Sequence, residues 1–173
     1  MSALRYCMKC GRETLQWDGE KKWSCSECDF SLFHNVAGAV AVLIKYNDEI
    51  LFTRRSQEPM KGKLDLPGGF VDPKESAEVT CVREISEELS YNIDPSGLKH
   101  LGSLPNVYHY NGTDYNTLDL FYEYATDQKF DVELDLAEVS ETVWLKPENL
   151  DLEDLAFESQ KLFLSGYLKH LIK

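Results

Sequence analysis

Long apolar runs are missing from this sequence. The longest, Val36 to Ile44, has nine residues, less than half of the about 20 that a bilayer-spanning helix needs. Met1 to Cys10 has no apolar signal core, so no secretory leader is read there and the chain is expected in the cytoplasm, with no membrane partner. Basic residues are scarce: 18 Lys and Arg against 30 Asp and Glu give a net charge of −12. Coating nucleic acid or anionic lipid relies on Lys and Arg, so bulk nucleic acid is not the expected partner. A small anionic ligand at a metal-bearing site stays open. Cysteines number five, and in an unexported chain they read as thiols in metal or packing chemistry before disulfides. Internal repeats and low-complexity runs are absent.

What is present suffices for one domain and a small appendage: 173 residues, 43% of them hydrophobic. Composition shifts near residue 35. Residues 1–34 are polar, carry four of the five cysteines and have turn signals at Cys10-Gly11 and Asp18-Gly19. Residues 35–173 read as an ordinary globular domain. Val36–Tyr46 is apolar on both faces and predicts a buried strand. Asn47-Asp48 then predicts a turn into a second strand at Ile50–Thr53. Leu64–Phe70 is a short extended piece broken by Pro67-Gly68-Gly69. A helix is predicted from about Ser76 to Ser90, with Val82, Ile85 and Leu89 on one face; the region of Asp72 and Pro73, or Ser76, can cap it. Further strands are expected at Leu98–Leu104, Leu118–Ala125 and Thr142–Leu145, the first two separated by a Tyr-rich loop. A last helix runs from about Leu155 to Leu171, with Lys169 and His170 in its final turn, where cations suit the dipole. Strands alternating with two helices make this an α/β fold, a mixed sheet with helices on its faces.

Cys7-x-x-Cys10 and Cys25-x-x-Cys28 form two knuckles. Four thiolates on such knuckles suit the closed tetrahedron of a structural Zn²⁺. With four protein ligands no position is open for catalysis, and the metal supplies stability that so short a segment cannot obtain from apolar burial. Cys81, on the predicted helix, reads as a small buried hydrophobe.

The most informative stretch is Gly69 to Tyr91. Glu84 and Glu88 are four apart and Glu84 and Glu87 three apart, so three carboxylates share one region of a helix. Like charges so placed repel, and the C-terminal half of a helix prefers cations. Arg83 can relieve part of this by pairing with Glu87. The acids follow Leu66-Pro67-Gly68-Gly69-Phe70, where backbone carbonyls can approach a ligand closely. Hard oxygen ligands beside exposed backbone suit Mg²⁺ or Mn²⁺ with room left for substrate phosphates.

Gly69, Glu75 and Arg83-Glu84-Ile85-Ser86-Glu87-Glu88 reproduce the spacing of the Nudix box, G-x5-E-x7-R-E-U-x-E-E-x-G-U, with every charged position present. Ser90 and Tyr91 depart from its closing Gly and aliphatic residue. The chain thus resembles a Nudix hydrolase, and its four-Cys ribbon ahead of the box resembles the NADH pyrophosphatase-like branch. The resemblance implies an α/β/α sandwich preceded by a zinc ribbon, and hydrolysis of a nucleoside diphosphate linked to another moiety, an NAD(H)- or ADP-ribose-like substrate, by water attack at phosphorus. Carried over by position, it implies Glu84 and Glu88 as main Mg²⁺ or Mn²⁺ ligands and Glu87 as a further ligand or water-activating base. Gly68 lends its carbonyl, Arg83 orients the glutamates and Glu75 steadies the loop–helix junction. In the branch's Glu-x-x-Glu-x-x-Trp segment, Glu138 is the distal ligand and Glu141 the alternate. The branch's Ser-Gln-Pro-Trp-Pro-Phe-Pro segment is replaced here by Gly102 to Tyr110, so NADH itself is not singled out as substrate.

Outside the box, Arg54 and Arg55 end a strand near the site and are candidates to hold phosphate. Tyr108, Tyr110 and Tyr115 are candidates to stack a base. The rivals are a non-catalytic module of the same architecture that binds a nucleotide or a protein, and an isomerase of prenyl diphosphates. Oligomeric state stays open, with the ribbon or an edge strand able to form a homodimer interface.

Overall fold

The computed structural model describes residues 4–171, with side chains described through Lys169; the side chain of His170, expected in the last turn, lies outside the described residues. Near the N-terminus, β1 (Leu15–Trp17), β2 (Lys22–Cys25) and β3 (Ser31–Phe33) form a small antiparallel sheet. Its core is Cys7, Leu15, Trp23 and Cys25, with Phe30 and Leu32 packed against them.

A six-stranded sheet follows. It contains β4 (Ala37–Tyr46), β5 (Glu49–Arg55), β6 (Leu64–Asp65), β7 (Lys99–Tyr110), β8 (Thr113–Ala125) and β9 (Val139–Leu145). The path β6-β5-β4-β8-β7 carries β9 on β5, and only β4–β8 is parallel among the named pairs. The sheet is therefore mixed. The alternation of β4 splits its side chains between two layers. Val40, Val42 and Ile44 face α1 (Ala77–Leu89) through Cys81, Ile85 and Leu89. Ala41 and Leu43 face α2 (Glu158–Leu171) through Leu164 and Leu168. Each such Val, Leu or Ile side chain contributes about 2 kcal/mol when taken from water. The two layers make the α/β/α sandwich. No helix among the described residues is long and apolar enough to cross a membrane.

Two expectations are corrected here. The Tyr-rich segment is not a loop: β7 and β8 run on as a long hairpin from Lys99↔Glu123 to Tyr110↔Thr113. It turns at Asn111-Gly112, both with positive φ, the dipeptide that a two-residue turn of this hand favours. The last helix begins at Glu158, later than expected, because Leu155 is used in a bridge to Leu64 and the Ala156 N–H donates to the Leu64 carbonyl.

One irregularity makes the site. β4 and β5 pair only from Ile44↔Leu51 to Tyr46↔Glu49 and then part. The chain from β6 to Val71 enters the gap: β6 pairs with β5, while the Val40 and Val42 N–H groups donate to the Gly69 and Pro67 carbonyls. This pairing passes over Gly68, whose carbonyl β4 does not use.

Candidate active site

Helix α1 starts at Ser76, whose hydroxyl accepts from the Val79 N–H, which settles the choice between the two caps. It ends at Ser90, which takes the left-handed conformation at φ 49°. Glycine adopts that conformation without a steric cost, so the turn is retained although the residue differs.

Arg83 resolves the crowding of acids on this helix. Its Nη1 donates to Glu84 Oε1 at 2.7 Å and to Glu87 Oε2 at 3.0 Å. Its Nε and Nη2 grip Glu75 at 3.0 Å each, and Nη2 also reaches the Phe70 carbonyl at 3.1 Å. One guanidinium thus ties three carboxylates to the loop that precedes them. It also holds the Glu75 carboxyl below its usual range. The Thr80 hydroxyl donates to Glu75 as well, at 2.8 Å.

Glu84 and Glu88 face inward and are 8% exposed each, whereas Glu87 is exposed. Burial raises the Glu84 carboxyl above its usual range, against the pull of Arg83. Burial raises Glu88 much further, reinforced by the charges of Asp65, Glu84 and Glu138. Among the described residues, Glu88 Oε2 is the buried side-chain atom that has no hydrogen-bond partner. A buried, unpartnered carboxylate oxygen surrounded by other acids is costly unless a cation reaches it.

The glycines allow this closeness. A Cβ on Gly69 would collide with the Glu84 carboxylate, and one on Gly68, at φ +152°, with the Val40 carbonyl oxygen. Gly68→Ala is expected to cost about 2 kcal/mol or more, from left-handed strain and backbone collision together. Urea unfolding measures it; a midpoint equal to wild type would show that the backbone is not held this tightly.

These groups line a cavity of about 430 Å³. Gly68, Arg83, Glu84, Glu87, Glu88 and Glu138 all border it. Glu138 is brought in by its backbone: the Ser56 N–H donates to the Glu138 carbonyl and the Asp135 N–H to the Glu88 carbonyl. Glu141 does not border it and pairs with Arg54 at 2.5 Å.

The two arginines separate. Arg55 borders the cavity, ion-paired to Asp65 at 2.7 Å, its guanidinium 5.1 Å from the Phe157 ring centroid. Arg54 faces the other way, toward Glu141, Asp154 and the Gly62 carbonyl. Adjacent strand residues point to opposite faces, so Arg54 is not brought to the site. Tyr108 borders the cavity; Tyr110 and Tyr115 join it and Phe70 in an adjoining apolar cleft of about 240 Å³. The sequence reading missed Asp65, Asp119, Asn106 and Gln160, which also line the cavity. They lie on four different elements or their flanks, and no local spacing marks them.

At the other end of the chain, Cys7–Cys28 and Cys10–Cys25 sulfurs lie 3.7 and 3.8 Å apart, and all four sulfurs fall within 4.8 Å of one another. A tetrahedron with metal–sulfur bonds of about 2.3 Å needs sulfurs about 3.8 Å apart, so the quartet could bind zinc. The Thr14 hydroxyl, 3.0 Å from Cys25 Sγ, brings that thiol down to about 6, which favours the ligating thiolate. Cys81 is fully buried, and burial pushes its thiol up to about 12.

Known proteins share this fold and parts of this sequence. The model of the NUDIX domain matches residues 35–165. An NAD-capped RNA hydrolase NudC of Pseudomonas fluorescens is 37% identical over 99 residues, which is 57% of this chain and 35% of the relative. The NAD-capped RNA hydrolase NudC of Pseudomonas syringae pv. tomato is 36% identical over 57% of this chain and 34% of its own. The aligned stretch thus spans about a third of these relatives' length. Among solved structures, a NUDIX hydrolase from Nitrosomonas europaea superposes with TM-score 0.64 at 20% identity, covering 92% of this chain and 88% of its own. The NUDIX domain of Shewanella oneidensis NrtR, complexed with ADP ribose, gives TM-score 0.63 at 22% identity over 80% and 90%. These likenesses are likenesses of fold. With a box that keeps every charged position and a family match over most of its length, the chain belongs to the NUDIX domain family.

Proposed function

We propose that this chain is a divalent-metal-dependent hydrolase of a nucleoside diphosphate linked to another moiety, of the NAD(H) or ADP-ribose kind. The observation that carries this reading is the buried Glu88 carboxylate, with an unpartnered oxygen, facing a cavity bordered by Glu84, Glu87, Glu138 and the Gly68 backbone. That donor set is all oxygen, which is what Mg²⁺ or Mn²⁺ takes. Glu84, Glu88, Glu87, Gly68 through its carbonyl, and Glu138 would hold the ions. Bound there, they would supply charge neutralisation for a diphosphate and acidify coordinated water.

The chain's own residues do the rest. Arg83 holds the glutamates in register. Glu87, exposed at the cavity mouth, or Glu138 takes the proton from the attacking water. Arg55 reaches phosphate from the floor, and Tyr108 with Tyr110 stacks a ring. Attack at one phosphorus gives two monophosphate products. The four cysteines hold a structural Zn²⁺, and residues 1–34 form a ribbon distinct from the hydrolase domain of residues 35–173.

The names of the relatives raise the question of an RNA body on the substrate. The two cations that border the cavity already have tasks there: Arg83 holds the glutamates and Arg55, beside Asp65, serves the diphosphate. In the ribbon, Arg5, Lys9 and Arg12 are paired with Glu13, Asp29 and Glu27, which leaves Lys21 and Lys22 as its cations outside these ion pairs. Phosphates of an RNA tail would therefore meet little further positive charge at the cavity itself. Free small diphosphates are the expected substrates.

A panel of ADP-ribose, NAD(H), dinucleoside polyphosphates, sugar nucleotides and an NAD-capped oligonucleotide, each with Mg²⁺ or Mn²⁺, tests this. Expected are two monophosphate products from each diphosphate-bridged member and a kcat/KM for the capped oligonucleotide that does not exceed that of free NAD. Its logarithm should fall little with the logarithm of salt, unlike the steep slope of a protein that neutralises many phosphates. No metal-dependent cleavage of any member would end the hydrolase reading; preference for the capped oligonucleotide with a steep salt slope would end the small-substrate part.

A further inference from the structure

Away from the glutamates, the cavity has a second acidic feature that the proposed hydrolysis does not use. Asp119, on β8, is 8% exposed and borders the cavity beside Asn106 and Tyr108. Its Oδ1 accepts from the Thr117 hydroxyl and its Oδ2 from the Ser159 hydroxyl, at 2.6 Å each. Both hydroxyls belong to buried residues, 3% and 1% exposed. Among the described residues no Lys or Arg is ion-paired with it. The contrast with Asp65 is direct: that buried carboxylate is paired with Arg55 at 2.7 Å and receives Gln160 Nε2 at 2.6 Å.

Two neutral hydroxyls do not use up the acceptor capacity of a carboxylate, which has about four lone-pair sites. A tie between β8 and the first turn of α2 could be made without burying a charge. The carboxylate is placed instead on the side of the sheet that the cavity exposes. Asn106 lies directly across the ladder from Thr117, two residues along β7 from Leu104, which is opposite Asp119, and it borders the same cavity. Tyr108 is two residues further along the same face, 5.7 Å from the Phe157 ring centroid. A flat ring lodged against Tyr108 would bring one edge toward an acceptor from Asp119 and a donor from Asn106.

We propose that Asp119 is a specificity residue that selects a nucleobase carrying an exocyclic amino group. The proposal rests on the reading of this cavity as a nucleotide site. The amino edges of adenine and cytosine present an N–H donor beside a ring-nitrogen acceptor, which complements Asp119 and Asn106. The matching oxo bases, hypoxanthine and uracil, put a carbonyl oxygen where the amine stood, so two acceptors face each other. A buried acceptor brought against a carbonyl oxygen disfavours that ligand relative to one that offers an N–H there.

Binding of AMP, IMP, CMP and UMP to the full chain, measured by calorimetry with a chelator present, tests this without turnover. AMP is expected to bind about tenfold or more tightly than IMP, and CMP likewise over UMP, the size of one hydrogen bond to a charged acceptor. Asp119→Asn should bring both ratios within about twofold, because an amide can offer either a donor or an acceptor. Ser159→Ala removes one tie of Asp119 to α2 but keeps the carboxylate, so both ratios should persist. A purely structural role predicts that the two variants lower stability and leave the ratios alone. Equal affinities in the wild type, no binding of any of the four, or unchanged ratios in Asp119→Asn would each overturn the proposal. Should Asp119→Asn not fold, the wild-type ratios decide alone. Failure of the hydrolase reading appears separately, as absent cleavage of ADP-ribose with Mg²⁺ or Mn²⁺ by a wild type whose AMP/IMP ratio is still high.

Discussion

Substituting Glu88 by Gln is expected to lower kcat by at least about a hundredfold while leaving the fold intact or firmer. The two effects have one origin. Gln fills the same space but offers no anionic oxygen, so the oxygen that the site leaves unpartnered can no longer serve a cation. Loss of a central acid or ligand in such a site costs about 10²–10⁴ in rate. Stability should move the other way. Burial raises the folded-state pKa of Glu88 well above the ordinary value of 4.5. The folded protein therefore holds this proton more tightly than the unfolded chain. The contribution of Glu88 to stability is fully present below pH 4.5 and is lost as pH rises through the raised folded value. Gln has no charge to bury. Without divalent ions, Glu88→Gln should melt at or above wild type at pH 7, and the two should converge at pH 4. A variant that turns over normally, or one that melts well below wild type at pH 7, would contradict this account.

The second large effect is expected at the cysteine quartet. Outside its sulfurs, the ribbon core has little apolar content beyond Leu15, Trp23, Phe30 and Leu32. Zinc bound by small domains contributes on the order of 10–16 kcal/mol of apparent free energy at neutral pH. Withdrawing it should unfold the ribbon. A strong chelator should release one equivalent of zinc. Amides of β1 and β2 should then lose their protection from hydrogen exchange, while those of β4 and β8 keep theirs. Cys25→Ser should act as the chelator does. Release of the metal with unchanged protection in β1 and β2 would show that the ribbon stands without it.

Much of this architecture is legible in the residues because the elements are locally consistent. The apolar run at β4, the helix with Ile85 and Leu89 on one face, and the Asn47-Asp48 turn each carry a local signal, although the helix offered two caps. The failures have particular causes. Gly102, Pro105 and the polar residues around the tyrosines hide the extension of β7 and β8, because the outer end of β8 is exposed throughout and that of β7 alternates only between half-buried and exposed positions. The dipeptide Asn111-Gly112 was the available signal for a hairpin there. Arg54 and Arg55 show a different limit. Two neighbours on a strand cannot both face one cavity, but which one does is set by how the pleat of β5 sits in the folded sheet, which no local spacing marks. Asp65, Asp119 and Gln160 are brought together only by tertiary packing. By contrast, the spacing of Glu75, Arg83, Glu84, Glu87 and Glu88 places them within a few helical turns of a single guanidinium, and their grouping is local.

The parallel pairing of β4 with β8 has a consequence for how the molecule comes into being. Ala37 meets Thr117 and Lys45 meets Ala125, so the most apolar strand is synthesised about 80 residues before its parallel neighbour. At a synthesis rate of about 5–20 residues per second, that strand waits some seconds on the ribosome with an open edge. Pairings so distant in sequence also form slowly, because the loop must close before any contact rewards it. Helix α1 is made within this interval and is the first element available to cover Val40, Val42 and Ile44. The helix that carries the glutamates is thus placed to shield the nascent sheet from aggregation before the rest of the chain arrives.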